Sequence, residues 1–254
     1  MPLLEVVKAH YEHEYTAGGC RINAEAFGLR KRMFVARLRR LSRYRTSVGS
    51  LLDVGCSTGM FLEVARDGGW NVSGVELSVE AARQAQQKFP GRVFCGTLAD
   101  APFPAGSLDV ITMFDVIEHC ATPLVELTCA TTLLAADGLL VLTTPNIASL
   151  PARVMGRAYS YINPPDHLVY FSPRTMAVAL AKAGLRHLVC ERAYKTFSLD
   201  YILALLPRVN PMAARICRPL ATMLPAGLRT QSVSLYAGEM WVVARKPSRS
   251  QPAW

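Results

Sequence analysis

The sequence predicts an α/β protein whose mostly parallel sheet is covered by helices on both faces. Three observations predict it. From Ser50 onward, short apolar β-type runs alternate with segments of helical period. The first run ends in a glycine-marked turn, LLDVGCSTG at 51–59, that opens a helix. The second run ends in an acid, Glu76, about twenty residues past Gly55, the spacing at which α/β folds meet a ribose.

Taken in order, strands fall at 50–55, 71–76, 92–95, 108–114 and 139–144, with helices at 59–68, 79–88 and 122–135 between them. Gly68-Gly69, Pro90-Gly91, Pro102 to Gly106 and Asp137-Gly138 punctuate the series. After Thr144 a Pro-marked excursion at 145–171 exceeds an ordinary connection and reads as a lid or substrate loop. Ser172-Pro173 then supplies an N-cap and an N1 proline for a helix that runs to Ala183 and stops at Gly184. A sixth strand follows at 186–194. A second excursion at 197–228 carries apolar runs broken by Pro207, Pro211, Pro219 and Pro225, which favours several short helices over one long one. The last strand is expected at 234–246. The chain therefore divides into an N-terminal helical cap (1–47), the α/β domain (48–246) and a short tail (247–254).

At 254 residues, with 51% hydrophobic and 19% charged residues, the chain has the composition of a globular protein with a substantial core. Mean hydropathy of +0.20 leaves room for a lipidic surface or a deep apolar pocket. The seven cysteines contain no C-x-x-C pair and read as reduced thiols. With no secretory leader and no apolar run long enough to span a bilayer, the expected location is cytoplasmic, with peripheral membrane contact left open.

The net charge of +9 favours acidic partners. Much of it lies in one segment, where Arg30, Lys31, Arg32, Arg37, Arg39, Arg40, Arg43 and Arg45 interleave with Leu29, Met33, Phe34, Leu38 and Leu41. This is an amphipathic helix. Its basic face is either merely solvated or an anion- or membrane-binding surface.

Gly55 and Gly59 lack a Cβ and so allow a close backbone approach to a ligand. The order Asp53, Gly55, Ser57, Gly59 differs from the G-x-G-x-x-G of dinucleotide binders. In all, LLDVGCSTG, GVELS (74–78), GTLADAPFPAGSLDVI (96–111), FDVIEH (114–119), DGLLVLTTPN (137–146) and DHLVYFSPRTMAVALAKAGL (166–185) resemble, in register, the class I S-adenosylmethionine-dependent methyltransferases. Within these they resemble the group that includes ubiquinone-biosynthesis and natural-product O-methyltransferases.

The resemblance implies a Rossmann-like, seven-stranded, mostly parallel sheet with an antiparallel last strand, and S-adenosylmethionine as cofactor, released as S-adenosylhomocysteine. Carried over residue by residue, Asp53, Gly55, Cys56, Ser57 and Gly59 form the cofactor loop, with an acid suited to the ammonium of the amino-acid tail. Glu76 and Leu77 make the ribose and adenine edge, Thr97 and Leu98 the adenine turn, and Phe114 and Asp115 the wall after the fourth strand. Ser57 stands in place of a frequent glycine, and Thr97 in place of an aspartate that contacts the adenine amino group. Tyr11 and Tyr15 resemble an N-terminal cap over the cofactor; simple packing is the competing reading.

Methyl transfer to a hydroxyl needs alignment and a base, for which histidine is suited. His119, just past the fourth strand, and His167, on the first excursion, are the candidates. Each also has a plain structural reading, as a polar residue starting a helix or bracing a loop. His10 and His13 share a helical spacing but lack a third ligand, so no metal site is expected. Asn163-Pro164-Pro165-Asp166 follows the fifth strand and ends in Asp, unlike the motif of amino-methylating nucleic-acid enzymes. The expected partner is accordingly a small-molecule acceptor rather than nucleic acid, with oxygen favoured over nitrogen. A lipidic phenol met at the membrane and a non-catalytic binding protein are the other readings.

Overall fold

The computed structural model describes residues 24–163 and 166–248. Seven strands form one sheet in the order β3-β2-β1-β4-β5-β7-β6. They are β1 (Ser50–Val54), β2 (Asn71–Glu76), β3 (Val93–Cys95), β4 (Leu108–Phe114), β5 (Leu134–Pro145), β6 (Arg186–Phe197) and β7 (Val233–Arg245). Pairings from β3 through β5 are parallel, whereas β7 runs antiparallel to both β5 and β6. The expected mostly parallel sheet with an antiparallel last strand is what forms. The last strand inserts between β5 and β6, which leaves β6 at the edge.

The helices are α1 (Ala24–Leu41), α2 (Met60–Asp67), α3 (Val79–Lys88), α4 (Pro123–Leu133), α5 (Leu150–Met155), α6 (Pro173–Lys182), α7 (Leu199–Val209), α8 (Pro211–Thr222) and α9 (Ala226–Arg229). Several begin where a side chain satisfies the first free N–H groups. Ser78 Oγ accepts from Ala81 N at the start of α3, and Ser172 with Thr175 forms a reciprocal capping box before Pro173. The second excursion forms three short helices as its prolines predict, with Pro219 inside α8. Among its described residues the first excursion holds α5 and a 3₁₀ turn at Gly156–Ala158.

The sheet buries apolar side chains on both faces, as central parallel strands require. On one side Leu52, Ile111, Met113, Leu140 and Leu142 meet α4 and α6 through Leu127, Met176 and Leu180. On the other, Leu51, Val110, Val141 and Trp241 meet Leu41 of α1 and Phe61 and Leu62 of α2. The helix that carries the basic segment therefore closes one face of the sheet.

That packing takes three of its arginines off the basic face, while Arg30, Lys31, Arg32, Arg39 and Arg43 stay exposed. Arg37 is buried and pairs with Asp115 at 3.2 Å. The Arg40 guanidinium lies 4.8 Å from the Trp241 ring centre and bonds Glu191 and the Arg192 carbonyl. Arg45 bonds Asp109 at 2.9 Å. Six cysteines among the described residues are free thiols. No described helix is long and apolar enough to cross a membrane.

Candidate functional site

The parallel register aligns the carboxyl ends of three strands, with Val54 level with Val75 on one side and with Met113 on the other. The turns leaving β1, β2 and β4 therefore face one another, the place where open α/β sheets bind ligands. A cleft of about 510 Å³ opens there, lined by Gly55, Ser57, Glu76, Leu77, Thr97, Leu98, Phe114, Asp115, His119 and Glu126, among others. A smaller cavity of about 60 Å³ shares Gly55, Ser57 and Phe114 with it and adds Asp53, Cys56, Met60 and, from α1, Arg30 and Phe34.

The loop after β1 has the form its glycines permit. Gly55 has φ +72°, and a Cβ there would stand 2.5 Å from Val116 Cγ2. Ser57 takes φ 51° despite its side chain. It is held by donating its backbone N–H to Glu76 Oε2 at 2.8 Å. Ser78 N donates to the other oxygen, Oε1, at 2.9 Å. Glu76 is thus fixed at the cleft wall.

Asp53 lies in the β1 core with Thr112 Oγ1 donating to it at 2.6 Å, and burial pushes its pKa up to about 7. It borders the smaller cavity, not the larger. Burial also pushes the Cys56 thiol far up, which makes it a packing group rather than a nucleophile. Thr97 and Leu98 line the cleft as expected. The Thr97 hydroxyl donates to Asp100 Oδ2 at 2.6 Å, which turns its own oxygen into an oriented acceptor.

Phe114 packs edge-on to Phe61, with ring centres 5.0 Å apart, and stacks on Trp241 at 5.8 Å. Arg37 lies over its ring at 4.7 Å. Asp115 has φ 59°, a conformation that costs a non-glycine residue energy. Its carboxylate is held by Arg37 and by Thr143 Oγ1 at 3.0 Å. Burial opposes that charge, but Arg37 and Lys195 outweigh it and hold the pKa below the ordinary range. Lys195 in turn meets Glu239 at 2.5 Å. Burial works against the lysine's charge, yet Asp115 and Glu239 keep it firmly protonated.

The two candidate histidines come together, with ring centres 4.7 Å apart in an edge-to-face arrangement. His119 ends the 3₁₀ turn Ile117–His119 and lines the cleft. The first excursion reaches it because Leu168 N and Val169 N donate to the Glu118 carbonyl at 2.9 and 3.1 Å. His119 Nδ1 lies 2.7 Å from the Asp166 carbonyl and His167 Nδ1 2.6 Å from the Tyr161 carbonyl. A carbonyl only accepts, so each neutral ring carries its proton on Nδ1 and its basic lone pair on Nε2. Burial lowers the pKa of His119.

Beside them Glu118 is buried, and burial, with the Asp115 charge next, pushes its pKa up to about 8. One ligand atom from each of Glu118, His119 and His167 lies within 4.8 Å of the others, a spacing that could hold a cation, although no metal site was expected from the sequence. His187 is exposed on β6. Tyr11, Tyr15, His10 and His13 lie outside the described residues.

Arg37, Lys195 and Glu239 are site-bordering residues that sequence reasoning missed. For Arg37 a signal existed, since it lies three residues beyond Phe34 and four before Leu41, on the apolar stripe. Lys195 and Glu239 stand on different strands brought together by the β6–β7 ladder, where Ala193 pairs with Glu239. Nothing local announces that pairing.

A seven-stranded sheet in this order, with a glycine loop after β1 and an acid closing β2, defines the class I S-adenosylmethionine-dependent methyltransferase fold. The family model described as "Methyltransferase domain" matches residues 27–190, and the chain belongs to that family. Over 104 residues it is 31% identical to the ubiquinone biosynthesis O-methyltransferase of Psychrobacter arcticus, covering 38% of this chain and 40% of that protein. Over 140 residues it is 26% identical to the malonyl-[acyl-carrier protein] O-methyltransferase of Serratia marcescens, covering 54% and 53%. The chain thus spans about half or less of the curated relatives it matches. Among solved structures, a SAM-dependent methyltransferase of Archaeoglobus fulgidus shares the fold, with a TM-score of 0.58, 20% identity and coverage of 85% of this chain and 94% of that one. The cofactor of the family is S-adenosylmethionine.

Proposed function

We propose that the chain transfers the methyl group of S-adenosylmethionine to a hydroxyl of a small-molecule acceptor. The observation that carries this reading is His119. It is a neutral imidazole on the cleft wall, its tautomer set by the Asp166 carbonyl so that Nε2 is the basic nitrogen.

The residues present suit the cofactor. Glu76 offers two anchored carboxylate oxygens to the ribose hydroxyls, and Leu77 and Leu98 give apolar walls to the adenine. Thr97, oriented by Asp100, presents an acceptor to the adenine amino group, which answers for the missing aspartate. Asp53 in the smaller cavity suits the ammonium of the amino-acid tail, and Arg30, also on that wall, its carboxylate. Bound there, the cofactor supplies an electrophilic methyl on a positively charged sulfur, with a neutral thioether as leaving group.

The chain's own part is alignment and one proton. His119 Nε2 accepts the proton of the acceptor hydroxyl as the carbon–oxygen bond forms. The Asp166 carbonyl stabilises the resulting imidazolium through Nδ1–H. His167, bonded to the Tyr161 carbonyl and packed against the His119 ring, ties the first excursion to the wall that carries His119.

The test is incubation with methyl-tritiated cofactor and a panel of phenols, alcohols and amines of matched size. Labelling of hydroxyl acceptors, abolished in a Glu76→Ala variant, is expected. Labelling of amines alone would overturn the choice of oxygen.

A further inference from the structure

Helix α8, between β6 and β7, is built inside out. On α8 the small residues Ala214 and Ala221 are buried, at 4% and 7% exposure, and face the rest of the protein. The large apolar residues point the other way: Met212, Ile216 and Leu220 stand 75%, 62% and 61% exposed, and Met223, just past the helix, 81%. Their spacing of four, four and three residues places them on one stripe. A solvent-facing helix normally shows the reverse pattern, so this stripe is shaped to be covered.

The charge around it specifies what covers it. From Tyr201 to Gly238 the sequence contains no acidic residue, while Arg208, Arg215, Arg218 and Arg229 fall in the same stretch. Arg229 is neutralised by Asp200 at 3.3 Å, whereas Arg215 is exposed on α8 one residue before Ile216. A second copy of the chain would bring like charge against like charge, because a two-fold interface sets the same patch against itself. An apolar stripe flanked by arginines is the composition of a helix lying in an anionic lipid interface.

The topology sets this platform on the catalytic edge. Since β5 and β6 are both antiparallel to β7, they run in the same direction, and β6 ends at the edge of the sheet where the cleft opens. Beyond the level of Pro145, β6 and β7 continue as a two-stranded ribbon, Lys195 to Phe197 against Val233 to Leu235, from which α7, α8 and α9 spring.

We propose that the α7–α9 excursion docks on an anionic bilayer surface, with Met212, Ile216, Leu220 and Met223 buried among the acyl chains and Arg215 at the headgroup level. The inference stands apart from the choice of acceptor atom.

Flotation of the full chain with extruded vesicles, in low salt, tests it. Vesicles containing phosphatidylglycerol should carry the protein upward and vesicles of phosphatidylcholine alone much less. An Ile216→Gln/Leu220→Gln double variant should lose at least about tenfold in partitioning, and Arg215→Gln should lose less and show a flatter salt dependence. Both substituted side chains are exposed, so an unchanged melting temperature and unchanged binding of S-adenosylhomocysteine confirm an intact fold. Three results would overturn the proposal: wild type that stays below anionic vesicles, a double variant that floats as wild type does, or equal flotation with neutral vesicles. A dimer that the double variant turns into a monomer, without vesicle binding, would assign the stripe to a second copy instead.

Discussion

Replacing Arg37 by Met tests whether the basic helix is part of the site or a solvated face. Arg37 is 5% exposed, and its guanidinium bonds Asp115 at 3.2 Å and lies 4.7 Å from the Phe114 ring centre. Removing one member of a fully buried ion pair costs about 3 to 5 kcal/mol. Here the cost is smaller, because the Asp115 side chain is 30% exposed and keeps Thr143 and the Lys195 charge. Losing the contact with Phe114 adds about 0.5 to 1 kcal/mol. Methionine restores part of the apolar packing, so the net expectation is a loss of about 2 kcal/mol in urea unfolding at pH 7.

A cycle with Asp115→Asn should return a coupling of about 1 kcal/mol. The folded pKa of Asp115 is depressed, so its contribution is present above the unfolded value of 3.8 and is lost as pH falls below that value. The gap between wild type and Arg37→Met should therefore narrow on acidification. A loss under about 0.5 kcal/mol, with no coupling, would refute the reasoning and return Arg37 to solvent.

Asp53 sets the pH dependence of the cofactor. With a folded pKa of about 7 it is mostly protonated at pH 6, and an ammonium beside it favours the ionised form. Affinity measured from pH 6 to 8 should rise by roughly tenfold and flatten in Asp53→Asn; a flat wild-type profile would remove Asp53 from the tail site. The raised pKa also means that Asp53 stabilises the unliganded fold at acidic pH, with that contribution lost as pH rises through about 7, so Asp53→Asn should narrow the difference in melting temperature between pH 6 and 8. His119→Ala should lower kcat by about a hundredfold with cofactor affinity intact, whereas His167→Ala should act mainly on KM for the acceptor; the reverse pattern would exchange their roles. Gly55→Ala should abolish cofactor binding in a folded protein, because its Cβ would press on Val116 at a positive φ; near-normal binding would mean that the loop adjusts freely.

The legible parts of the fold are those decided locally. Alternating strands and helices, with breakers between, mark the elements from Ser50 to Gly184, and Ser172-Pro173 marks the start of α6 to the residue. The candidate cleft is legible for the same reason, since Gly55, Ser57, Glu76, Thr97 and Phe114 all sit at strand ends or in the turns that follow them. The position of Asp53 is less so: it is in sequence next to the loop, but the strand pleat and Thr112 hold it on the side of the smaller cavity. The meeting of His119 and His167 depends on Leu168 and Val169 donating across the chain to Glu118, and no local pattern encodes that contact. Arg37 illustrates a different loss, because charge density suggested a solvated face while position on the Phe34–Leu41 stripe decides its burial.

The cleft at the ends of β1, β2 and β4 is proposed to bind S-adenosylmethionine through Glu76. Calorimetric titration of the chain with S-adenosylmethionine, S-adenosylhomocysteine and NAD, in wild type and Glu76→Ala, tests it most directly. Saturable binding of the first two and none of NAD is expected, with Glu76→Ala weakening both by roughly 1 to 3 kcal/mol through loss of hydrogen bonds from the ribose to a charged acceptor. Binding of NAD in preference to the sulfur ligands, or a folded Glu76→Ala variant that binds them as wild type does, would contradict it.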